Sequence, residues 1–502
     1  MPDHEVYDYV IVGAGSAGSV VTRRLIERTD ATVLVLESGG PGHGEMVSNP
    51  SLWVENIGSE YDYGYAYEPH PATNNRVHAL ARGKLLGGSG GINALVWTRG
   101  HRADYDAWAA AGNTGWDYES LLPLFKRSED WEDGATPLRG AGGPIRVERA
   151  RNLHPVAQAL IDSGRSIGMP YLDDITTAAP EGVGPVTLNI RDGRRVNPWD
   201  AYAERVLDSP RLRVLTGADV HRLTIVGDRC TGVEYVRDGL PATAGAREET
   251  VLCAGAIDTP RLLLRSGIGP SAELAAADID TVVNSPGVGR NLQEHMILGG
   301  LAFEPYEPLG PLNNNLEGSV AFTRSRPDLD RPDLMIVAPQ IPLVSPEIEE
   351  IYRPPPDSFC ISPGLSAPRS RGYLRIHTGD RLEIQPHFLR ERADLDALVD
   401  AVGLGAEIAS RPAYRALIRR WVAPARPLSG SDAADFVRDA AMPYMHPAGT
   451  CALGSVVDPD LRLRGVDRVR VADASVMPTI VTSYIHATAV MIGEFAADRL
   501  AG

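Results

Sequence analysis

The stretch Tyr7-Asp8-Tyr9-Val10-Ile11-Val12, then Gly13-Ala14-Gly15-Ser16-Ala17-Gly18, then Ser19 to Arg28 decides the fold class. The first run is short, apolar, partly β-branched and ended by glycine, which reads as a fully buried strand. The last has helical spacing, with Val20, Val21, Leu25 and Ile26 on its inner side. Between them lies G-x-G-x-x-G. The first glycine permits the tight turn, the second lets backbone approach a pyrophosphate, and the third lets helix and strand pack closely. Free N–H groups and partial positive charge at the helix N-terminus suit that anion. Thr32–Leu36 reads as a second buried strand, followed by Glu37, 19 positions after Gly18. An acid there holds both ribose hydroxyls, and no Arg or Lys follows at once to favour a ribose phosphate. An ADP moiety is expected; the motif alone does not separate FAD from NAD. This βαβ start predicts a parallel sheet covered by helices.

Outward from that unit, Gly39 to Gly100 is rich in Gly, Pro, Tyr and Asn and weakly periodic, as functional segments in compact domains are. Helical character returns over Asp104–Asp130, and strands are expected at Leu212–Thr216, Gly232–Val236 and Thr250–Ala254. From Gly299 to Ala425 the texture becomes Pro-rich, with alternation at Tyr373–His377 and helical spacing from Arg392 to Ile418. Val469–Leu500 returns to strand, turn and helix. The expected division is a cofactor domain over 1–150, an excursion into the substrate domain over 151–190, and a return over 191–298. A substrate-binding core over 299–440 and a catalytic return over 441–502 complete it.

The length, 502 residues, suits two domains sharing an interface. With 49 basic and 65 acidic residues the net charge is −16, which repels phosphate backbones and anionic lipid, so no nucleic acid or membrane partner is expected. Cys230, Cys253, Cys360 and Cys451 lie far apart without C-x-x-C spacing, so neither a metal site nor a disulfide framework is expected. The N-terminus has no basic region followed by a long apolar run, and no uncharged stretch approaches a membrane span. A cytoplasmic protein is the expectation.

Three further stretches carry a resemblance. Arg82-Gly83-Lys84-Leu85-Leu86-Gly87-Gly88-Ser89-Gly90-Gly91-Ile92-Asn93 resembles the first long motif of the glucose–methanol–choline oxidoreductases. Gly255-Ala256-Ile257-Asp258-Thr259-Pro260, running on to Ser266-Gly267-Ile268-Gly269, resembles the second. His446-Pro447-Ala448-Gly449-Thr450-Cys451 with Asp473-Ala474-Ser475-Val476-Met477-Pro478 resembles the C-terminal catalytic region. The resemblance spans nearly the whole chain. It implies an α/β fold with a Rossmann-type FAD-binding domain assembled from discontinuous segments, plus an α+β substrate domain on a largely antiparallel sheet. It further implies cofactor contacts at the turn Gly13–Gly18 (Ala14, Gly15, Ser16 and Ala17 included), at Glu37 and Ser38, and at Arg82, Gly83, Leu86, Gly87 and Gly88. Asn93, Ala94, Val96, Val220, Asp473, Ala474 and His486 extend that set. Some members attach FAD through a histidine just before the motif's asparagine; here that position is Ile92, so FAD is expected to be non-covalent.

Oxidising an alcohol by hydride transfer to flavin N5 needs a base for the hydroxyl proton and stabilisation of negative charge on the reduced flavin. The resemblance gives the first task to His446, whose unperturbed pKa of about 6.5 lies near operating pH. The N-terminal dipole of a helix beginning near Ala487 serves the second. Where members usually carry a second His or Asn, this chain has Tyr484, with His486 two residues on. Tyr484 is placed near the substrate as a donor and His486 near the flavin edge. Gln340, Phe359 and Tyr444 are the candidate substrate contacts. The function implied is oxidation of a primary or secondary alcohol, with oxygen or a small acceptor reoxidising the flavin. The alternative is non-redox or light-driven chemistry of the hydroxynitrile lyase or photodecarboxylase kind.

Overall fold

A computed structural model describes residues 5–502. β1 (Glu5–Val12), α1 (Ser16–Arg28) and β2 (Val33–Leu36) form the opening unit. The helix begins at Ser16, not after Gly18, so the third glycine sits in the first helical turn, where a Cβ would lie 2.0 Å from the Gly13 carbonyl oxygen. Gly13 has φ +96°, and its Cβ would lie 2.6 Å from the Cys253 carbonyl oxygen. Glycine alone fits both positions.

The sheet continues with β3 (Leu212–Leu215), β4 (Ala218–Val226), β5 (Arg229–Arg237) and β6 (Leu240–Leu252). After β6 comes α2 (Gly255–Arg265), and the later segment adds β7 (Val469–Val471) and α3 (His486–Leu500). The order is β3-β2-β1-β6-β5-β4, with β7 also on β6. β3, β2, β1, β6 and β7 pair in parallel, while β4, β5 and β6 form an antiparallel meander. β6 serves both patterns: Leu240–Gly245 pairs with β5 and Thr250–Leu252 with β7. Val12 is opposite Leu252, so the Gly13 turn and the start of α2 share one sheet edge, where open α/β sheets bind ligands.

α3 lies back on α1, where a side chain on Gly493 would meet the Ala17 carbonyl oxygen at 2.8 Å. Beside it the fully buried Glu494 is held by Arg24 and Arg127, each at 2.7 Å, and by the Tyr202 hydroxyl at 3.0 Å. The second sheet is antiparallel throughout. It runs 418–423, 301–305, 359–365, 334–337, 319–323 and 182–185, with Met296–Leu298 bridging Phe359–Leu365 and Ala441–Pro443. Helix Arg392–Ala409 covers it, packing on strand Phe359–Leu365 and burying Leu398, Ala401 and Val402 in the same apolar core as Ile361 and Phe303. Two sequence expectations shift. Asp104–Asp130 is two helices, Arg102–Ala110 and Tyr118–Ser128, parted by a turn containing Gly112 and Gly115. The helix expected to reach Ile418 stops at Ala409, and Ile418 opens a strand. Among the described residues no helix is long and apolar enough to cross a membrane.

Candidate active site

A cavity of ≈ 600 Å³ runs from the β1–β6 edge to the antiparallel sheet, within the usual range for ligand pockets. Gly13, Gly15, Ser16 and Ala17 line it from the first turn, Glu37 and Ser38 from the end of β2. Arg82, Gly83, Gly88, Asn93, Ala94 and Val96 line it from the glycine-rich loop, and Val220, Asp473 and Ala474 from the strands beyond. At the far end stand Tyr444, His446, Tyr484 and His486.

Some nominated residues stand behind this lining. Ala14 gives its amide to Glu37 at 2.9 Å, and Gly18 serves helix–turn packing. Gly87 makes room for Asn197, whose Oδ1 would lie 1.9 Å from an added Cβ, and the Leu86 carbonyl accepts from Asn197 Nδ2 at 3.1 Å. Gln340 is tied to the loop before it, its Oε1 accepting from the Asn313 amide at 2.9 Å. Phe359 is a core residue, stacked on Tyr414 at an interplanar angle of 15° and packed against Phe303. An apolar ring on a central strand is buried between layers and does not reach the cavity.

At the nucleotide end, Glu37 accepts from the Ala14 amide at 2.9 Å and the Gly39 amide at 2.8 Å, which orients both carboxyl oxygens. Burial pushes its pKa up to about 7. Asp473 accepts from the Gly255 amide at 2.9 Å, the Thr259 hydroxyl at 2.6 Å and the Ser475 amide at 2.8 Å. It thereby ties the end of β7 to the start of α2.

At the other end, Asn93 Oδ1 accepts from Arg195 at 2.7 Å and from the Leu95 amide at 3.0 Å. That assigns Nδ2 as the donor to His486 Nδ1, 3.1 Å away. His486 Nδ1 therefore accepts, and its proton sits on Nε2, a buried N–H with no partner among the described residues, on a ring that lines the cavity. Burial, and then the Arg195 cation, hold this imidazole down at about 3, so it is a neutral donor. The glycine-rich turn, the oriented acid and this unpartnered N–H fit a dinucleotide carrying a ring that accepts hydrogen bonds. FAD is such a group.

His446 is positioned by strand pairing. Met296 lies opposite Pro443, so the Tyr444 amide reaches the His295 carbonyl at 2.9 Å, and Gln293 and Ala448 exchange bonds of 3.0 and 2.9 Å. Between these contacts the chain bows, with Met445 at φ +62°, a left-handed value that a non-glycine residue rarely adopts. The His446 amide donates to Glu294 at 2.5 Å, and its Nδ1 meets His295 Nδ1 at 3.0 Å. Burial, then His295 and Arg82, hold the His446 pKa well below the usual imidazole value. Burial lifts Glu294 to about 8, although the Tyr67 hydroxyl donates to it at 2.7 Å. The Tyr444 and Tyr484 rings stand 4.9 and 5.8 Å from the His446 ring, and their hydroxyls are 3.2 Å apart. Burial raises both phenols well above their ordinary value, so they remain protonated.

Glu294, His295, Glu317 and Arg195 escaped the sequence reading. Glu294-His295 had a visible signal, two titratable side chains set between Leu292 and the apolar Met296–Leu298. Glu317 and Arg195 had none, since only long-range contacts bring Glu317 to the cavity wall and Arg195 to Asn93 behind it.

The GMC oxidoreductase family model matches residues 7–297 with its N-terminal part and 368–493 with its C-terminal part. An uncharacterized GMC-type oxidoreductase of Mycobacterium tuberculosis is 36% identical, covering 98% of this chain and 99% of that protein. Mitochondrial choline dehydrogenase of Mus musculus is 33% identical over 99% of this chain and 89% of its own length. Among solved structures, pyridoxine 4-oxidase from Mesorbium loti superposes with a TM-score of 0.94 at 35% identity, over 98% of each chain. Sequence kinship along both halves and the shared fold agree: this chain belongs to the GMC oxidoreductase family, with FAD as its cofactor.

Proposed function

We infer that the protein oxidises a small primary or secondary alcohol to a carbonyl, with His446 taking the hydroxyl proton. The observation that carries this reading is a neutral imidazole at the cavity wall, fixed through Nδ1 by His295 and flanked by two phenols. Bound FAD supplies the two-electron acceptor; the remaining work falls to side chains.

With its proton on Nε2, His295 offers Nδ1 as acceptor for His446 Nδ1–H across the 3.0 Å contact. The His446 lone pair then sits on Nε2, as a base toward the cavity requires. Burial weakens this base, and negative charge developing in the cavity during reaction restores its proton affinity. His486 Nε2–H and the N-terminus of α3 favour that charge, the dipole by up to ~2 kcal/mol. Tyr484 acts as a hydrogen-bond donor near the alcohol oxygen, not as a base. Ile92 offers no nitrogen to the cofactor, which supports non-covalent FAD.

Anaerobic mixing of the holoenzyme with arylmethyl and aliphatic alcohols tests the reading: the yellow flavin band bleaches with at least one of them. A band unmoved by every alcohol in the set overturns it. Admitting air then separates acceptors, since rapid return of colour marks oxygen and slow return a different small acceptor.

A further inference from the structure

Arg195 stands behind the glycine-rich loop with its charge uncompensated. It belongs to the short hairpin of Ile190–Arg191 and Arg194–Arg195, and Asn197, two positions on, holds Leu86 and Gly87 of that loop. Residues two apart on extended backbone share a face, so the segment grips the loop with both side chains. The guanidinium bonds only neutral oxygens. Nε donates to the Val47 carbonyl at 2.8 Å, Nη1 to Asn93 Oδ1 at 2.7 Å and the Gly90 carbonyl at 3.4 Å, and Nη2 to the Asn93 carbonyl at 2.7 Å. It is 7% exposed, and among the described residues no Asp or Glu forms an ion pair with it. Arg82, at the start of the loop, has Glu294 and Asp62 in electrostatic reach. Arg195 has only the cost of burial, which lowers its pKa to about 9 and leaves it charged at neutrality. From Asn93 the line of contacts continues to His486, whose Nδ1 takes the Asn93 Nδ2–H at 3.1 Å. Trp97 meets that ring edge-on at 5.3 Å, and a Cβ on Gly90 would stand 2.9 Å from its Nε2, so glycine is what lets the imidazole come so close to the loop.

We propose that Arg195 is a positioning residue for flavin reduction, its buried cation acting through Asn93 and His486 to favour negative charge on the bound flavin ring. The proposal rests on the reading above that His486 Nε2–H serves such charge, and it names what strengthens that donor. Hydride transfer carries two electrons and one proton to the flavin, so a neutral ring becomes an anion while the carbinol proton goes to His446. A buried charge without a partner is costly, and an opposite charge arriving within reach offsets part of that cost. A guanidinium, unlike an imidazole, does not escape the cost by losing its proton near neutrality. Hydrogen bonds in series polarise one another. The cation on Asn93 Oδ1 makes Nδ2–H a stronger donor to His486 Nδ1, and the imidazole that accepts it offers a stronger Nε2–H in turn. Every link acts in the same direction, toward the cavity.

The test reads the two-electron potential of the holoenzyme by dye equilibration, which needs no substrate. Arg195→Met removes the charge and keeps an unbranched chain. It should shift the flavin equilibrium at least about tenfold toward the oxidised form, or ~30 mV for a two-electron couple. His486→Ala should lower the potential too, and the double variant should fall short of the two shifts added, because both changes break one line. An unchanged potential in Arg195→Met, or shifts that simply add, overturns the relay. Arg195→Lys keeps a cation and should hold the equilibrium within roughly threefold of the wild type. A Lys variant that falls as far as Arg195→Met overturns the role of charge. Should Arg195→Met not retain FAD, Arg195→Lys decides alone: a potential near the wild type supports the relay, and one as low as that of His486→Ala overturns it. The two readings fail separately. His486→Ala at the wild-type potential removes His486 from the flavin and the relay with it, whereas a lowered His486→Ala beside an unchanged Arg195→Met removes Arg195 alone. If no alcohol bleaches the flavin, alcohol oxidation falls while the potentials still decide on Arg195.

Discussion

His295 and His446 face each other Nδ1 to Nδ1 at 3.0 Å, across 151 positions of sequence. One proton serves that line, so one ring donates and the other accepts. Both rings charged would set two buried cations in contact, and His295 is itself held down at about 3 by burial. The pair therefore enters the reaction neutral, with the tautomer of one ring dictating that of the other.

His446→Ala should retain FAD and slow anaerobic flavin reduction by about two orders of magnitude or more, the usual contribution of a general base. Stopped-flow absorbance measures it. Reduction at the wild-type rate would remove His446 from the proton transfer.

His486→Ala removes an N–H that no acceptor among the described residues engages. With FAD bound, the expected consequence is a two-electron reduction potential lower by roughly 30–60 mV, the equivalent of one hydrogen bond to developing charge. Dye-equilibration titration reads it. An unchanged potential would place His486 away from the flavin.

Acid denaturation of the holoenzyme should release all of its flavin, because Ile92 has no nucleophilic nitrogen. Yellow colour remaining with the precipitated polypeptide would contradict this.

Gly18→Ala sets a methyl 2.0 Å from a backbone oxygen, and Gly403→Ala sets one in open space within helix Arg392–Ala409. Thermal denaturation should show the first destabilised by about 3 kcal/mol or more, with loss of FAD. The second should gain roughly 0.5–1 kcal/mol. Similar behaviour of the two variants would mean that the Gly13–Gly18 turn is looser than described.

The apoprotein should lose stability as pH rises from about 6.5 to 8. Burial raises Glu37, Glu294 and Glu317 to about 7, 8 and 7, so the native state keeps protons that the unfolded chain has already released. Each such acid contributes a slope of up to ~1.4 kcal/mol per pH unit within its window. The depressed histidines act oppositely and below about 6.5, where the unfolded chain gains protons that the buried rings refuse. Glu294→Gln should flatten the upper limb by about one proton, as seen by calorimetry at several pH values.

Local constraint made the nucleotide end legible. The Gly13–Gly18 turn and Glu37 lie in one short βαβ unit, and steric demands of backbone on backbone leave a mark in residue type. His446 was legible through a motif whose neighbours share one chain segment. His295 and Glu317 were not, because their roles arise when Met296–Leu298 pairs with Ala441–Pro443 and when loop 313–318 folds over Ala94. Phe359 shows the opposite failure: an aromatic residue suits a pocket or a core equally well in composition, and its central strand sends it to the core. β4 was missed because its exposed stretches break the alternation expected of a half-buried strand.

The grip of Arg24 and Arg127 on Glu494 carries a consequence for biosynthesis. α1 reaches the cavity through Ser16 and Ala17 and α3 through His486 and Ala489, and the two helices are joined by a carboxylate 470 positions from its first partner. The part of the cavity wall made by His486 and Ala489 can therefore form only after the last stretch of the chain has been translated.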